Sequence, residues 1–253
     1  MLKETRQTQI RDIVEDRGQI TVAELNSLLN VSEATVRRDL DELAEAGVVQ
    51  RTHGGALRAR HTEAEPPILV RQSEQAAEKA RIGRLAASFV HDKQTIFLGS
   101  GTTVEALTPH LATGCDLTVI TNSLPVVNAL SGRPNIELIV VGGMLRRSEL
   151  SMVGHIAEQA VAELRADIAF LGMRAIAPEH GFTSDFLPEA LTDRAIFKIA
   201  PRRVVVADHT KFGRVSSVFL APVTAAEDIV SDTGLDTAMA DQLRERGLRL
   251  HLA

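Results

Sequence analysis

Three stretches of this chain place small and hydroxyl-bearing residues directly after an apolar run. Thr95-Ile96-Phe97-Leu98 leads into Gly99-Ser100-Gly101-Thr102-Thr103. Leu117-Thr118-Val119-Ile120 leads into Thr121-Asn122-Ser123, and the run from Ile136 to Val141 leads into Gly142-Gly143. The apolar runs read as strands. Glycine lets backbone approach a ligand closely, N–H groups at a following helix start attract anions, and Ser and Thr hydroxyls add donors. In open α/β sheets, ligands gather outside the carboxyl ends of strands. Ser100, Gly101, Thr102, Thr103, Thr121, Asn122, Gly142 and Gly143 are therefore candidate ligand contacts, with residues 99–103 as a phosphate cradle. The loop is not a P-loop, because the Gly-Lys-Ser/Thr ending is missing. Nor is it a dinucleotide fingerprint, because Val104 stands at the last glycine position.

Two further stretches add charge. Asp185, Glu189 and Asp193 straddle the start of a predicted helix, and Asp208-His209-Thr210-Lys211 follows the predicted strand Val204–Ala207. Lys211 can neutralise a phosphate or carboxylate, while Asp208 and Glu189 can accept from sugar hydroxyls. The plainer alternative for Glu189 and Asp193 is a helix N-terminal charge effect, from a few tenths up to about 1 kcal/mol. For Lys211 it is a solvated loop cation.

The elements that position these residues alternate between helix and strand signals beyond Lys79, which predicts an α/β layer fold. Further predicted strands are Ile168–Leu171, Ser217–Leu220, Ile229-Val230 and Leu248–Leu252. The first sixty residues differ. Ile10, Ile13 and Val14 make a helical stripe from Thr5 to Arg17, ended by Gly18. Ile20 suits a very short strand. Thr21 is an N-cap for a second helix with Leu25, Leu28 and Leu29 inward, and Asn30-Val31 makes the turn. Ser32 caps a third helix whose Val36, Leu40 and Leu43 face the core, leaving Thr35 and Arg38 outward. Gly47 stops that helix, and Val48-Val49 begins a wing whose tip holds Gln50-Arg51-Thr52-His53-Gly54-Gly55. This order reads as a winged helix-turn-helix, a shape that places a helix in the DNA major groove. Arg can bond guanine bidentately, and Ser or Thr can contact phosphates or bases. A solvated face on a small protein-binding helical domain is the competing reading of the pattern.

Composition sets bounds. The chain has 253 residues, 44% of them hydrophobic, with eight Phe and neither Trp nor Tyr. That supplies an aliphatic core and disfavours base stacking on aromatics. The single cysteine, Cys115, excludes an intrachain disulfide and a multi-cysteine metal site. Histidine spacing offers no metal pair. No apolar run approaches the roughly 20 residues of a spanning helix, so a cytoplasmic protein without metal or cofactor is expected. The formal net charge of −5 argues against a generally basic nucleic-acid coat. A local cationic cluster is still available from Arg37, Arg38, Arg51, Arg58 and Arg60, together with Lys3, Arg6 and Arg11.

Residues 4–57 resemble the N-terminal domain of DeoR-type bacterial transcriptional regulators. The motif Thr35-Val36-Arg37-Arg38-Asp39-Leu40, followed by Leu43, Gly47, Arg51, His53, Gly54 and Gly55, carries the likeness. It implies DNA contacts from Ser32, Thr35, Arg37, Arg38 and Arg51. Asp39 is expected to orient an arginine or cap a neighbour rather than touch DNA, since a carboxylate beside phosphate is repelled. Residues 79 to about 240 resemble the effector domain of the same family. Ser100-Gly101-Thr102-Thr103, Thr121-Asn122-Ser123, Gly142-Gly143, Gly172, Gly181 with Thr183, Glu189 and Asp208-His209-Thr210-Lys211-Phe212 carry that likeness. The domain is similar to ribose-5-phosphate isomerase. The resemblance implies that the Ser100–Thr103 loop and Lys211 hold phosphate, and that Asn122, Asp185, Glu189 and Asp208 read hydroxyls. Asp193 departs from the pattern, because many relatives carry lysine there.

The expectation is thus an α/β chain: a winged helix-turn-helix over 1–57, a linker over 58–78, and a larger α/β effector domain over 79–253 resembling sugar-phosphate isomerases. The expected function is a repressor of carbohydrate-metabolism genes, a homo-oligomer (dimer or tetramer) that leaves operator DNA when a phosphorylated sugar or related metabolite binds. The alternatives are an isomerase-like enzyme with an accessory DNA-binding head, using Glu189 or Asp208 as base, and a purely architectural DNA-binding protein.

Overall fold

The computed structural model describes residues 3–17, 19–29, 31–45, 49–52, 54–58 and 66–253. They belong to two compact units, Met1–Ala64 and Glu65–Ala253. Gly18, Asn30, Gly47, Val48 and His53, to which the sequence assigns turns and the wing, lie outside the described residues, as do Arg60 and His61.

The first unit runs α1 (Lys3–Arg17), β1 (Gln19–Thr21), α2 (Val22–Leu29), α3 (Glu33–Glu45), β2 (Val49–Thr52) and β3 (Gly55–Arg58). The strands form an antiparallel sheet in the order β1-β3-β2. Thr21 begins α2 with a capping box. Its hydroxyl accepts from Glu24 N at 3.2 Å, and Glu24 Oε2 accepts from Thr21 N at 2.8 Å. Ser32 caps α3, its Oγ accepting from Thr35 N at 3.3 Å. Ile10, Val14, Leu25, Val36, Leu40 and Leu43 close the core as expected. Leu28 does not join them and is 49% exposed. Val22, Leu25 and Leu29 set the inner stripe of α2, and Leu28 falls outside it at 100° per residue.

The second unit runs α4 (Ile68–Arg71), α5 (Ala76–Ala87), β4 (Thr95–Leu98), α6 (Thr102–Glu105), β5 (Leu117–Thr121), α7 (Leu124–Leu130), β6 (Ile136–Val140), β7 (Met144–Arg146), β8 (Ser151–Val153) and α8 (His155–Ala162). It continues with β9 (Ile168–Gly172), β10 (Ala175–Ala177), β11 (Gly181–Ser184), α9 (Leu187–Ile196), β12 (Arg202–Val206), β13 (Val218–Ala221), β14 (Asp228–Ser231), α10 (Thr237–Glu245) and β15 (Arg249–Leu252). Seven strands pair in parallel in the order β15-β14-β12-β9-β4-β5-β6. Strand side chains alternate between faces, so the sheet divides two cores. Ile96, Leu98, Val119 and Val204 pack with Ile82 and Ala86 of α5 and Val126 of α7. Phe97, Ile120, Leu171 and Val205 pack with Val161 of α8, Ile196 of α9 and Leu243 of α10. Helices on both faces satisfy a parallel sheet whose strands are buried on both sides.

Val218–Ala221 is a strand, and it lies in a separate antiparallel sheet, β10-β11-β13. The segment from Pro66, read from the sequence as linker, belongs to the larger compact unit. Ile68 is 1% exposed, its N–H donates to Ser148 O at 2.7 Å, and Arg71 is buried. The adjacent prolines masked this apolar anchor in the sequence.

One charge cluster ties the edge of the large sheet. Asp228 opens β14 and is fully buried. It accepts from Arg202 Nε and Arg249 Nε at 2.9 Å each, and pairs with His251 Nε2 at 2.8 Å. Burial pushes its carboxyl up, but the bonds from Arg249, Arg202 and His251 win and hold it well below the usual range. Its contribution is therefore present above the unfolded value and is lost as pH falls through the folded one. Asp228→Asn is expected to lower stability by about 2 kcal/mol near neutral pH. Urea denaturation at pH 7 and pH 3 checks this, and the gap from wild type should shrink at the lower pH.

Candidate functional site

The strand order reverses between β4 and β9. From β4 the chain steps outward to β5 and β6, then returns to place β9 on the other side of β4. A crevice forms at such a switch point, outside the carboxyl ends of the strands. A cleft lies there, lined by Ser100, Gly101, Thr102 and Thr103 after β4, by Gly172, Met173 and Arg174 at the end of β9, and by Lys211 after β12. Arg71, Glu149, Thr183, Ser184, Glu189 and Asp193 complete most of the remaining wall. Two glycines are needed. Gly101 has φ +106°, a conformation L side chains rarely adopt. A Cβ at Gly172 would lie 2.9 Å from Ser100 O, so glycine there lets the two strand ends approach.

The structure brings Ser100, Gly101, Thr102, Thr103, Glu189 and Lys211 together on one cleft. The first backbone bond of α6 runs from Glu105 N to Gly101 O, so the N–H groups of Thr102 to Val104 precede the ladder. Four residues of helix carry little dipole. The cradle's donors are these N–H groups and the Thr hydroxyls.

The other expected residues do not line the cleft. Thr121 is fully buried, and its hydroxyl donates to Leu98 O at 2.6 Å, tying β5 to β4. Asp208 accepts from Thr210 N at 3.0 Å and caps a short turn before Lys211. Asp185 sits between Arg146 Nη2 at 3.3 Å and Arg174 Nε at 3.5 Å. Gly143 packs on β8, where a Cβ would meet Val153 O at 2.9 Å, and Gly142 has open space beside it. Asn122 donates to Met152 O at 3.0 Å. Its Oδ1 and the hydroxyls of Ser123 and Ser151 are buried without a hydrogen-bond partner among the described residues. Buried polar atoms rarely stay unpaired, and Ser123 and Ser151 face each other across an isolated antiparallel bridge.

Sequence reading missed the arginines. Arg71 pairs with Glu149, and Arg146 pairs with Glu189, all four side chains largely buried. Arg146 also lies 4.7 Å from the Phe186 ring centroid. Arg71 follows an apolar run, and the charges in Arg146-Arg147-Ser148-Glu149 change sign; neither pattern marks a cleft without the fold. Lys79 is buried, and its Nζ donates to Arg71 O at 2.7 Å. Burial lowers its pKa, opposed by Asp208 and assisted by Lys211 and Arg71. Asp193, one turn beyond Glu189, is half-buried and lines the cleft. Burial first, then the Glu189 carboxylate, push its carboxyl well above the usual range, against Arg146.

In the first unit, Ser32, Arg37 and Arg38 are exposed and Thr35 is partly so. Ser32 Oγ and Thr35 Oγ1 lie 2.8 Å apart, and Arg37 reaches Glu33 at 3.5 Å across one turn. Arg51 lies in β2, but its side chain is outside the described residues. Asp39 is 2% exposed and holds Arg6 through both oxygens, at 2.5 and 3.1 Å. The carboxylate orients an arginine, as expected. This removes Arg6 from the cationic cluster assigned to it, and Lys3 and Arg11 are paired with Glu42 and Asp12. Arg37 and Arg38 on α3 are the exposed arginines of the helix that opens after the turn.

No group of three or more His, Cys, Asp or Glu among the described residues is arranged to hold a metal ion. No described helix is long and apolar enough to cross a membrane.

Comparison with known proteins agrees with this geometry. Residues 6–62 match the DeoR-like helix-turn-helix domain, and residues 74–233 match the DeoR C terminal sensor domain. The chain is 30% identical to the HTH-type transcriptional regulator IolR of Bacillus subtilis, with all of both chains covered. It is 32% identical to the HTH-type transcriptional repressor GlcR of the same organism, over 99% of this chain and 96% of that one. It is 30% identical to the glycerol-3-phosphate regulon repressor of Escherichia coli, over 99% of this chain and 100% of that one. Among solved structures, ribose 5-phosphate isomerase A of Methanocaldococcus jannaschii is similar at 17% identity and a TM-score of 0.41, over 55% of each chain. That last likeness is too low to assign an activity. The chain belongs to the DeoR family of helix-turn-helix transcriptional regulators.

Proposed function

We propose that this protein is a repressor of carbohydrate-metabolism genes, working in the cytoplasm as a homo-oligomer, a dimer or tetramer, and released from its operator by a phosphorylated sugar or related metabolite. The observation that carries the reading is the cleft at the β4/β9 switch point, where the Ser100–Thr103 cradle, Lys211, Arg71 and Arg174 converge within a regulator's sensor domain. A phosphate suits backbone N–H groups, hydroxyls and cations together. Glu189 and Asp193, which line the same cleft, suit hydroxyls. Relatives named as repressors, one of a glycerol-3-phosphate regulon, support the direction of control. An isomerase has less support, since relatives matching the whole chain are named as regulators.

Ser32, Thr35, Arg37, Arg38 and Arg51 are the proposed DNA contacts. Helix-turn-helix heads usually read paired half-sites, which favours an oligomer. Ligand binding regulates only if it favours one state of the chain over another.

Two mutants should separate the units. Arg38→Ala is expected to weaken operator binding about tenfold or more and to leave effector binding unchanged. Lys211→Ala should bind operator normally and respond poorly to effector. Gel-shift titration at fixed salt checks both, and normal effector response in Lys211→Ala would refute the phosphate assignment.

Asp193 gives a pH test. A carboxyl raised on folding binds a proton that the unfolded chain releases, so stability falls as pH rises above the unfolded value. Asp193→Asn removes that loss. Its melting temperature should exceed wild type at pH 7.5 by about 2–4 °C per kcal/mol relieved, with the gap closing toward pH 4. Equal melting curves at pH 7.5 would mean that Asp193 is ionised there at no cost.

A further inference from the structure

Arg71 stands at the root of the larger unit. The wing strand β3 ends at Arg58, and Pro66 is the first residue described beyond it. Between Pro66 and Gln72 the chain is fastened to the cleft wall, to neighbouring elements and to itself. Ile68 N donates to Ser148 O at 2.7 Å, Arg71 Nε donates to Pro66 O at 2.8 Å, and Arg71 Nη2 pairs with Glu149. Lys79 Nζ holds Arg71 O from behind at 2.7 Å. Arg71 and Glu149 side chains are 7% and 5% exposed, yet both line the cleft. One buried ion pair therefore belongs to the ligand site and to the segment that leads to the DNA-binding unit.

We propose, resting on the regulator reading above, that the Arg71–Glu149 pair is a ligand-released latch: an anion in the cleft takes Arg71 from Glu149 and frees the Pro66–Gln72 segment that roots the DNA-binding unit. The competition is one of charge and shape. A phosphate group carries more charge than a carboxylate, and a guanidinium binds it bidentately. The same anion repels Glu149, and at low dielectric that repulsion is strong. Glu149 directly follows Ser148, which holds Ile68 through its carbonyl and Arg146 through its hydroxyl at 3.1 Å. Moving Glu149 therefore pulls on both fastenings of the segment. Seven residues, 59–65, separate Pro66 from β3, so release is passed along a short covalent path.

The test uses the full chain and amide hydrogen exchange at residues 68–72, with operator affinity measured alongside. Glu149→Gln is expected to speed exchange at Ile68 and at Val70 to Gln72 while β4 and β12 stay protected. It should also weaken operator binding about tenfold without any ligand, imitating the effector. Inorganic phosphate should speed exchange at the same amides in wild type and add nothing in Glu149→Gln. Exposed Glu137→Gln serves as the charge control. If loss of protection in β4 and β12 shows that Glu149→Gln is unfolded, Arg71→Lys is read in its place, with the same expectation for exchange and operator affinity. Unchanged exchange in the folded variant, no response of wild type to phosphate, or faster exchange with unaltered operator affinity would each overturn the latch. Absence of specific DNA binding by wild type would instead refute the regulator reading, and exchange would then decide the latch alone.

Discussion

After β6 the chain returns to the far side of β4 and lays down β9 there. That reversal is the constraint on which the larger unit depends. All seven strands run in parallel, so their carboxyl ends share one edge of the sheet. The connections after β4 and β9 leave in opposite directions, and a crevice opens between them. Closing it tightly requires Gly172, whose missing Cβ lets the end of β9 meet Ser100, and Gly101, which turns the chain into α6. The cradle, the arginines and Lys211 then meet because of where their strands end.

The cleft holds its charges in opposed pairs. Arg71 with Glu149 and Arg146 with Glu189 are mostly hidden from solvent. Charges taken out of water need partners or their cost is several kcal/mol per ion. Such pairs make these buried charges tolerable. Asp193 follows the same logic with a different outcome. Glu189 already pairs with Arg146, so burial and the Glu189 carboxylate together raise the pKa of Asp193.

Much of this was legible from residue pattern. The strand ends at Gly99, Thr121 and Gly142 were found because apolar runs of four to six residues stop abruptly at small polar ones. The N-cap at Thr21 and the inward spacing of Val36, Leu40 and Leu43 marked the helices of the first unit. The rest depended on contacts remote in sequence. β7, β8, β10 and β11 have only three or four residues each and pair locally, so no periodicity announces them. Arg71, Glu149 and Arg146 meet across 75 or more positions of chain or across a hairpin, and only the fold shows their proximity. Thr121, Asp208 and Asp185 carried the right chemistry but spend it on the protein itself. Strand order determined which of the expected residues reach the cleft.

The most direct measurement is binding to the DNA upstream of the protein's own gene, at fixed ionic strength, with and without a panel of pentose, hexose and triose phosphates. Ionic strength is held because phosphate contacts make affinity steeply salt-dependent. Weakening of that complex by one phosphorylated compound, with binding to random DNA unchanged, is the result expected. Specific binding that none of the compounds alters would contradict the sugar-phosphate account of the cleft.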